Sequence, residues 1–309
     1  MLSTPKIAAD PLALALARKP APDAPGGFDH RIVASGPGWR VMDIVCTCGP
    51  RDRPFEERHA TASVSLILAG TFVYRGDRGP AMLAPGAMLL GSAGRSFECS
   101  HDHGAGDRCL SFQFDDDCFA RLADDAGAPR SAFGLNALPP LRALAKVTMR
   151  ARTALENDSA SAAGTLEEIA LELAGGALHL ANEPRRNGRA APSERDLARI
   201  GRLLRELESD VTRPYPLAAL AESAGMSRYH FLRTFTRVTG VTPHQWLLRA
   251  RLREAARRLA TTHDPVTEIA LASGFDDLSN FIRTFRAEFA APPRQFRRLQ
   301  IALRSMRFI

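Results

Sequence analysis

Residues 217–240 read LAALAESAGMSRYHFLRTFTRVTG, and their spacing decides the fold of the C-terminal third. Leu217, Leu220 and Ala221 fall on one face of a short helix. Gly225 follows as a stop, because the left-handed backbone that ends a helix is easiest for glycine. Ser227 can cap a second helix, whose Phe231 and Phe235 form an apolar i, i+4 pair. Helix, glycine turn and second helix make a helix-turn-helix, a plan in which the second helix enters the DNA major groove.

The unit occurs twice. FLRTF at 231–235 returns as FIRTF at 281–285, and TPHQW at 242–246 returns as PPRQF at 292–296. Upstream, LAALAESAGM (217–226) matches VTEIALASGF (266–275). The second copy has Ile269 and Ala270, then Gly274, then Asp276 as the expected cap, then Phe281 and Phe285. With Phe231 at the centre of the buried face, 100° per residue puts Tyr229, Arg233 and Thr236 about 140–200° away and Leu232 at the edge. The same arithmetic exposes Ser279, Arg283 and Arg286, with Ile282 at the edge. Arginine can pair bidentately with guanine, and Leu232 and Ile282 suit thymine methyls. Between the copies, Thr242 and Pro243 open a helix over 243–261, about 28 Å long at 1.5 Å per residue. One DNA turn is roughly 34 Å, so this rod suits two recognition helices set in successive major-groove segments.

Charge agrees with a polyanionic partner. Of the 309 residues, 193–309 hold 20 Arg against 12 Asp and Glu, a net +8, whereas 1–192 carry a net −1. Together these pieces resemble the DNA-binding domain of AraC/XylS-type transcriptional regulators across residues 195–299. The resemblance implies a seven-helix domain, a bacterial origin, promoter DNA and RNA polymerase as partners, and a regulator rather than an enzyme. Leu278 and Ile282 depart from the polar residues common in the second recognition helix, which shifts that unit toward phosphate and methyl contacts.

Upstream, the texture changes. WRVMDIVC, SVSLILAGTFVY, AMLLGSA and RCLSFQF are short β-type runs punctuated by Gly and Pro. They predict a small sandwich or barrel over 28–137, and this half resembles the cupin-like sensing domains of the same family. Residues 138–181 carry two helical apolar stripes, expected to form a hairpin that packs on the barrel or on a second subunit of a homodimer. Residues 182–194 read as a Pro- and Gly-bearing linker, 195–309 as the DNA-binding domain and 1–27 as a loose tail without the basic lead-in of a signal peptide. The expected class is thus α+β: a cupin-like β-barrel, a helical hairpin and an all-α domain with two helix-turn-helix units. No apolar run approaches the roughly 20 residues that span a bilayer, and five cysteines without a secretion signal fit reduced cytoplasmic thiols.

One stretch resists this assignment. Residues 99–109, CSHDHGAGDRC, gather Cys99, His101, His103, Asp107 and Cys109, with His59 and the Cys46-Thr47-Cys48 triplet further back. The alternatives are a polar turn bonding its own backbone, an element of a pocket for a small-molecule effector, and a metal or thiol sensor. No cofactor is expected. A cupin metalloenzyme fused to a DNA-targeting domain would need a further ligand, and 110–137 offers no histidine to provide it.

Overall fold

The computed structural model describes residues 10–21, 24–54, 56–102, 104–130, 132–156, 162–182 and 191–305. The elements begin with helix α1 (Pro11–Ala17), β1 (Phe28–Gly36), β2 (Trp39–Cys46), β3 (Glu56–Arg58), β4 (Ala62–Gly70) and β5 (Phe72–Gly76). β6 (Gly79–Leu83), β7 (Met88–Gly91), β8 (Ser96–Ser100), β9 (Asp107–Phe114), α2 (Asp116–Asp125) and β10 (Ala137–Leu138) follow. Then come α3 (Arg142–Glu156), α4 (Ala162–Asn182), α5 (Glu194–Ser209), α6 (Leu217–Ser223), α7 (Arg228–Thr239) and α8 (Pro243–Thr261). The chain closes with α9 (Val266–Ala272), α10 (Leu278–Phe289) and α11 (Pro293–Ser305).

The strands form two sheets rather than a closed barrel. One has the order β1-β2-β9-β4-β7-β10 and the other β3-β8-β5-β6. Among the described residues no ladder joins the two, so the expected barrel is an open sandwich. The chain crosses between sheets at Thr71, where β4 ends and β5 begins. Strand alternation then assigns each face a different partner. Val64, Leu66, Leu68, Leu110, Phe112 and Phe114 of the larger sheet bury against α2, α3 and α4. Ile67 and Cys109 face the other way, toward Phe72, Tyr74 and Leu83 of the smaller sheet. The apolar stripes of α3 and α4 are thereby buried against the sheet.

The outer face of the smaller sheet is covered too. Val73, Met82 and Ala84 share a core with Leu204 of α5, Phe231, Phe235 and Val238 of α7, and Trp246 of α8. On the other side Met149 of α3 joins the core of the second helix-turn-helix, with Phe281, Phe285 and Phe289. The helical domain therefore rests on the N-terminal domain through both of its units.

Two expectations change. Within the segment expected as a loose tail, α1 is a helix capped by Asp10 whose Leu12 is buried on the sandwich. The second recognition helix is capped by Asp277, not Asp276: its carboxylate accepts from the Ser279 and Asn280 amides. Adjacent aspartates offer the same chemistry, and the backbone leaving Gly274 decides which one is in reach.

Candidate nucleic-acid interface and a thiol-rich cluster

Each helix-turn-helix is built by local signals. Gly225 and Gly274 take φ of +61° and +84°, which lets the chain reverse between helices. Ser227 accepts from the His230 amide to cap α7. Phe231 and Phe235 lock α7 from below, as Phe281 and Phe285 lock α10. The opposite faces are open. Tyr229 is 71% exposed, Arg233 is exposed with its guanidinium 5.7 Å from the Tyr229 ring, and Leu232 and Thr236 flank them half-buried. On α10, Ser279, Ile282, Arg283 and Arg286 are all exposed, and Arg283 donates to Asn280 Oδ1 at 3.0 Å. Arg228, His230 and Asn280 lie exposed at the same helix starts; helical-wheel arithmetic centred on phenylalanine passes over them, although the cap positions mark the helix ends that lead.

The rod between the units, α8, has a complete capping box between Thr242 and Gln245. Its arginines act within the protein. Arg249 donates to the Pro140 carbonyl at 2.6 Å, and Arg251 to those of Val211 and Arg213 at 2.7 and 2.9 Å. Arg257 and Arg258 both bond Glu254. Arg253 is covered at the domain boundary, and burial pulls its pKa down to about 10. Exposed arginines remain on both recognition helices, at Arg228, Arg233, Arg283 and Arg286, and also on α5 and α11 at Arg195, Arg202, Arg294 and Arg298.

The remaining candidates separate into distinct environments. His59 contacts Tyr74 Oη at 2.9 Å and stacks on Phe97 at 4.2 Å; burial lowers its pKa to about 4, so it is neutral at physiological pH. Cys99 and Cys109 face the space between the sheets, and burial, then Asp107, pushes both thiols up. His101 is buried, with Nε2 2.7 Å from Asp107 Oδ1 and its ring 5.6 Å from that of Phe72. His103 lies outside the described residues. Cys46 belongs with His101 and Asp107, because β2 and β9 pair Cys46 with Asp107. Burial, then the Asp107 carboxylate, raises the Cys46 thiol; the Cys48 amide acts against this.

Two capped, phenylalanine-locked recognition helices on one arginine-rich domain define a DNA-binding domain with paired helix-turn-helix units. Residues 220–299 match the family described as "Helix-turn-helix domain". Multiple antibiotic resistance protein MarA of Escherichia coli K12 is 28% identical over 102 residues, covering 33% of this chain and 80% of that protein. The HTH-type transcriptional activator RhaS of Escherichia fergusonii is 34% identical over 113 residues, covering 37% of this chain and only 41% of RhaS. The solved DNA-binding domain of AdpA, a global transcriptional factor, in complex with a target DNA, is 29% identical with a TM-score of 0.34 and covers 34% of this chain and 96% of that one. The C-terminal domain belongs to the AraC/XylS family. No helix among the described residues is long and apolar enough to cross a membrane.

Proposed function

We propose that the protein is a sequence-specific transcriptional regulator that reads double-stranded promoter DNA through α7 and α10 in successive major-groove segments. The observation that carries this is the matched exposure of Arg233 and Arg283, one on each helix at the same place relative to its buried phenylalanines. Tyr229, Leu232, Thr236, Ser279, Ile282 and Arg286 complete the reading surface. The sandwich is a sensing domain that acts on the helical domain resting against it. Contact with RNA polymerase and a cytoplasmic location follow from the same reading. A homodimer is not required for two-site reading, since one chain carries both helices.

Genome-wide mapping of bound DNA, followed by footprinting of one site, tests the proposal. Two protected major-groove segments on one face, about one helical turn apart, are expected. Affinity should fall steeply with salt as phosphate counterions are released. A flat salt dependence, or binding with no preferred sequence, would overturn the proposal.

A further inference from the structure

The thiol-rich end of the sandwich is the feature that DNA reading does not explain. Cys46 ends β2, Cys48 lies two residues on, His101 follows β8 and Asp107 opens β9. Separate segments thus deliver one ligand atom each from Cys46, His101 and Asp107 to within 4.8 Å of one another. His101 and Asp107 are 6% and 5% exposed, so this is an interior cluster and not a surface gathering of acids. Cys48 lies close enough to act on the Cys46 thiol through its backbone amide, but it stands outside this group of three. All four cysteines of this end are free thiols.

We propose that Cys46 Sγ, His101 Nε2 and Asp107 bind one zinc-class divalent cation, with water in the fourth position. Thiolate, imidazole and carboxylate together form a donor set that suits Zn²⁺ and its substitute Co²⁺, not Mg²⁺ or Ca²⁺. Ligand atoms around a tetrahedral zinc lie roughly 3.3–3.8 Å apart for bonds of about 2.0–2.3 Å, so a cation would replace the 2.7 Å His101–Asp107 hydrogen bond, opening that pair slightly, and draw in the atoms that lie farther apart. Charge favours the site as well. A Cys46 thiolate and the Asp107 carboxylate would be two like charges in an apolar interior, and a dication neutralises both. Binding releases the Cys46 thiol proton to solvent and leaves the imidazole proton on Nδ1.

Residues beside the cluster approach the helical domain. A Cβ at Gly104 would lie 2.7 Å from Arg205 Cδ of α5, and Asp102 lies 3.8 Å from the Arg75 guanidinium that binds Glu194. Fixing His101 and Asp107 around a cation therefore reaches the adjacent Asp102 and Gly104 contacts and, through them, α5. This deepens the reading of the sandwich as a sensing domain, on which the regulatory consequence rests but the metal binding does not.

The test is titration of the full, reduced, metal-stripped protein with Co²⁺ and then Zn²⁺. One equivalent of Co²⁺ should produce a thiolate-to-metal charge-transfer band that Zn²⁺ abolishes and Mg²⁺ leaves untouched. Cys46→Ser should lose the band, Asp107→Asn should weaken binding by about tenfold or more, and Cys118→Ser, remote on α2, should behave as the parent. Thermal melts of the metal-free variants establish that each is folded. A parent protein without the band, or a band that survives Cys46→Ser, overturns the site. DNA affinity measured on the same parent preparation reports separately on the regulator reading: binding to DNA without the Co²⁺ band sinks the site alone, and the band without DNA binding sinks the regulator alone.

Discussion

Arg75 of the sandwich and Glu194, the first residue of α5, form a two-point ion pair, with Nη2 2.6 Å from Oε2 and Nε 3.3 Å from Oε1. The same guanidinium donates to Ser100 Oγ at 2.6 Å, so one side chain links β5, the end of β8 and the helical domain. Glu194 is 66% exposed, which limits the pair to about 0–1 kcal/mol. Arg75→Ala should therefore change overall stability little while loosening the domain contact. Hydrogen exchange is the measurement: amides of α5 and of β5–β6 should exchange faster, with those of α10 and α11 unchanged. Unaltered protection in α5 would remove Arg75 from the coupling.

Arg233→Ala and Arg283→Ala should each weaken binding to the cognate site by about 1–3 kcal/mol, the range for one bidentate base contact. The loss on random DNA should be much smaller. Equal losses on both would make the residue a phosphate contact. Since Leu278 and Ile282 are each 38% exposed on α10, the Arg283 loss should be the smaller of the two.

Glu208 of α5 has Oε1 enclosed without a hydrogen-bond partner, and burial raises its pKa from 4.5 to about 8, against the nearby Arg253 and Arg205. A folded-state carboxyl pKa above the unfolded value means that the folded protein holds the extra proton between those two values. Stability from this group is complete below about pH 4.5 and falls as pH rises toward 8. Glu208→Gln should remove that slope. Denaturation of both proteins at pH 5 and pH 9 should show the variant gaining on the parent by about 1–2 kcal/mol at the higher pH, after allowance for partial exposure of the residue. Parallel pH profiles would show that Glu208 is ionised in the fold.

Ala290 ends α10 at φ +57°, where Gly240 ends α7 at φ +75°. A left-handed alanine costs about 1–2 kcal/mol, part of which glycine returns as unfolded-chain entropy. Ala290→Gly should stabilise by about 0.5–1 kcal/mol in a thermal melt. Gly240→Ala should destabilise by more than that, because its Cβ would also lie 2.9 Å from that of Pro139.

The helix-turn-helix units were legible because their determinants are local. Gly225, Ser227, Phe231 and Phe235 sit within eleven residues, and periodicity alone places them on one helix and its turn. Strand β2 was legible for the same reason, since WRVMDIVC spans it end to end. Sheet closure was not, because pairing at the sheet edges depends on long-range register that a run of β-formers does not encode. The thiol cluster shows the same limit. CSHDHGAGDRC carries Cys99 and Cys109 beside His101 and Asp107 in sequence, but both thiols face the core between the sheets. The partner that completes the group with His101 and Asp107 is Cys46, brought there by the pairing of β2 with β9. Helix α1 is not legible in the sequence because seven residues are too few to hold a helix without the sandwich beneath them. The α8 arginines could be sorted only by their distant carbonyl and carboxylate partners.

Both recognition helices meet the N-terminal domain at their trailing ends. Val238 and Gly240 of the first lie by Ala84 and Pro139, and Glu288 and Phe289 of the second lie by Leu141 and Met149. One body thus clamps two pointers, while their tips stay free. A shift in that body would leave the vocabulary of each pointer intact and change their phase. Regulation by such a device would appear as an altered tolerance for the gap between half-sites, with the preferred bases at each half-site unchanged.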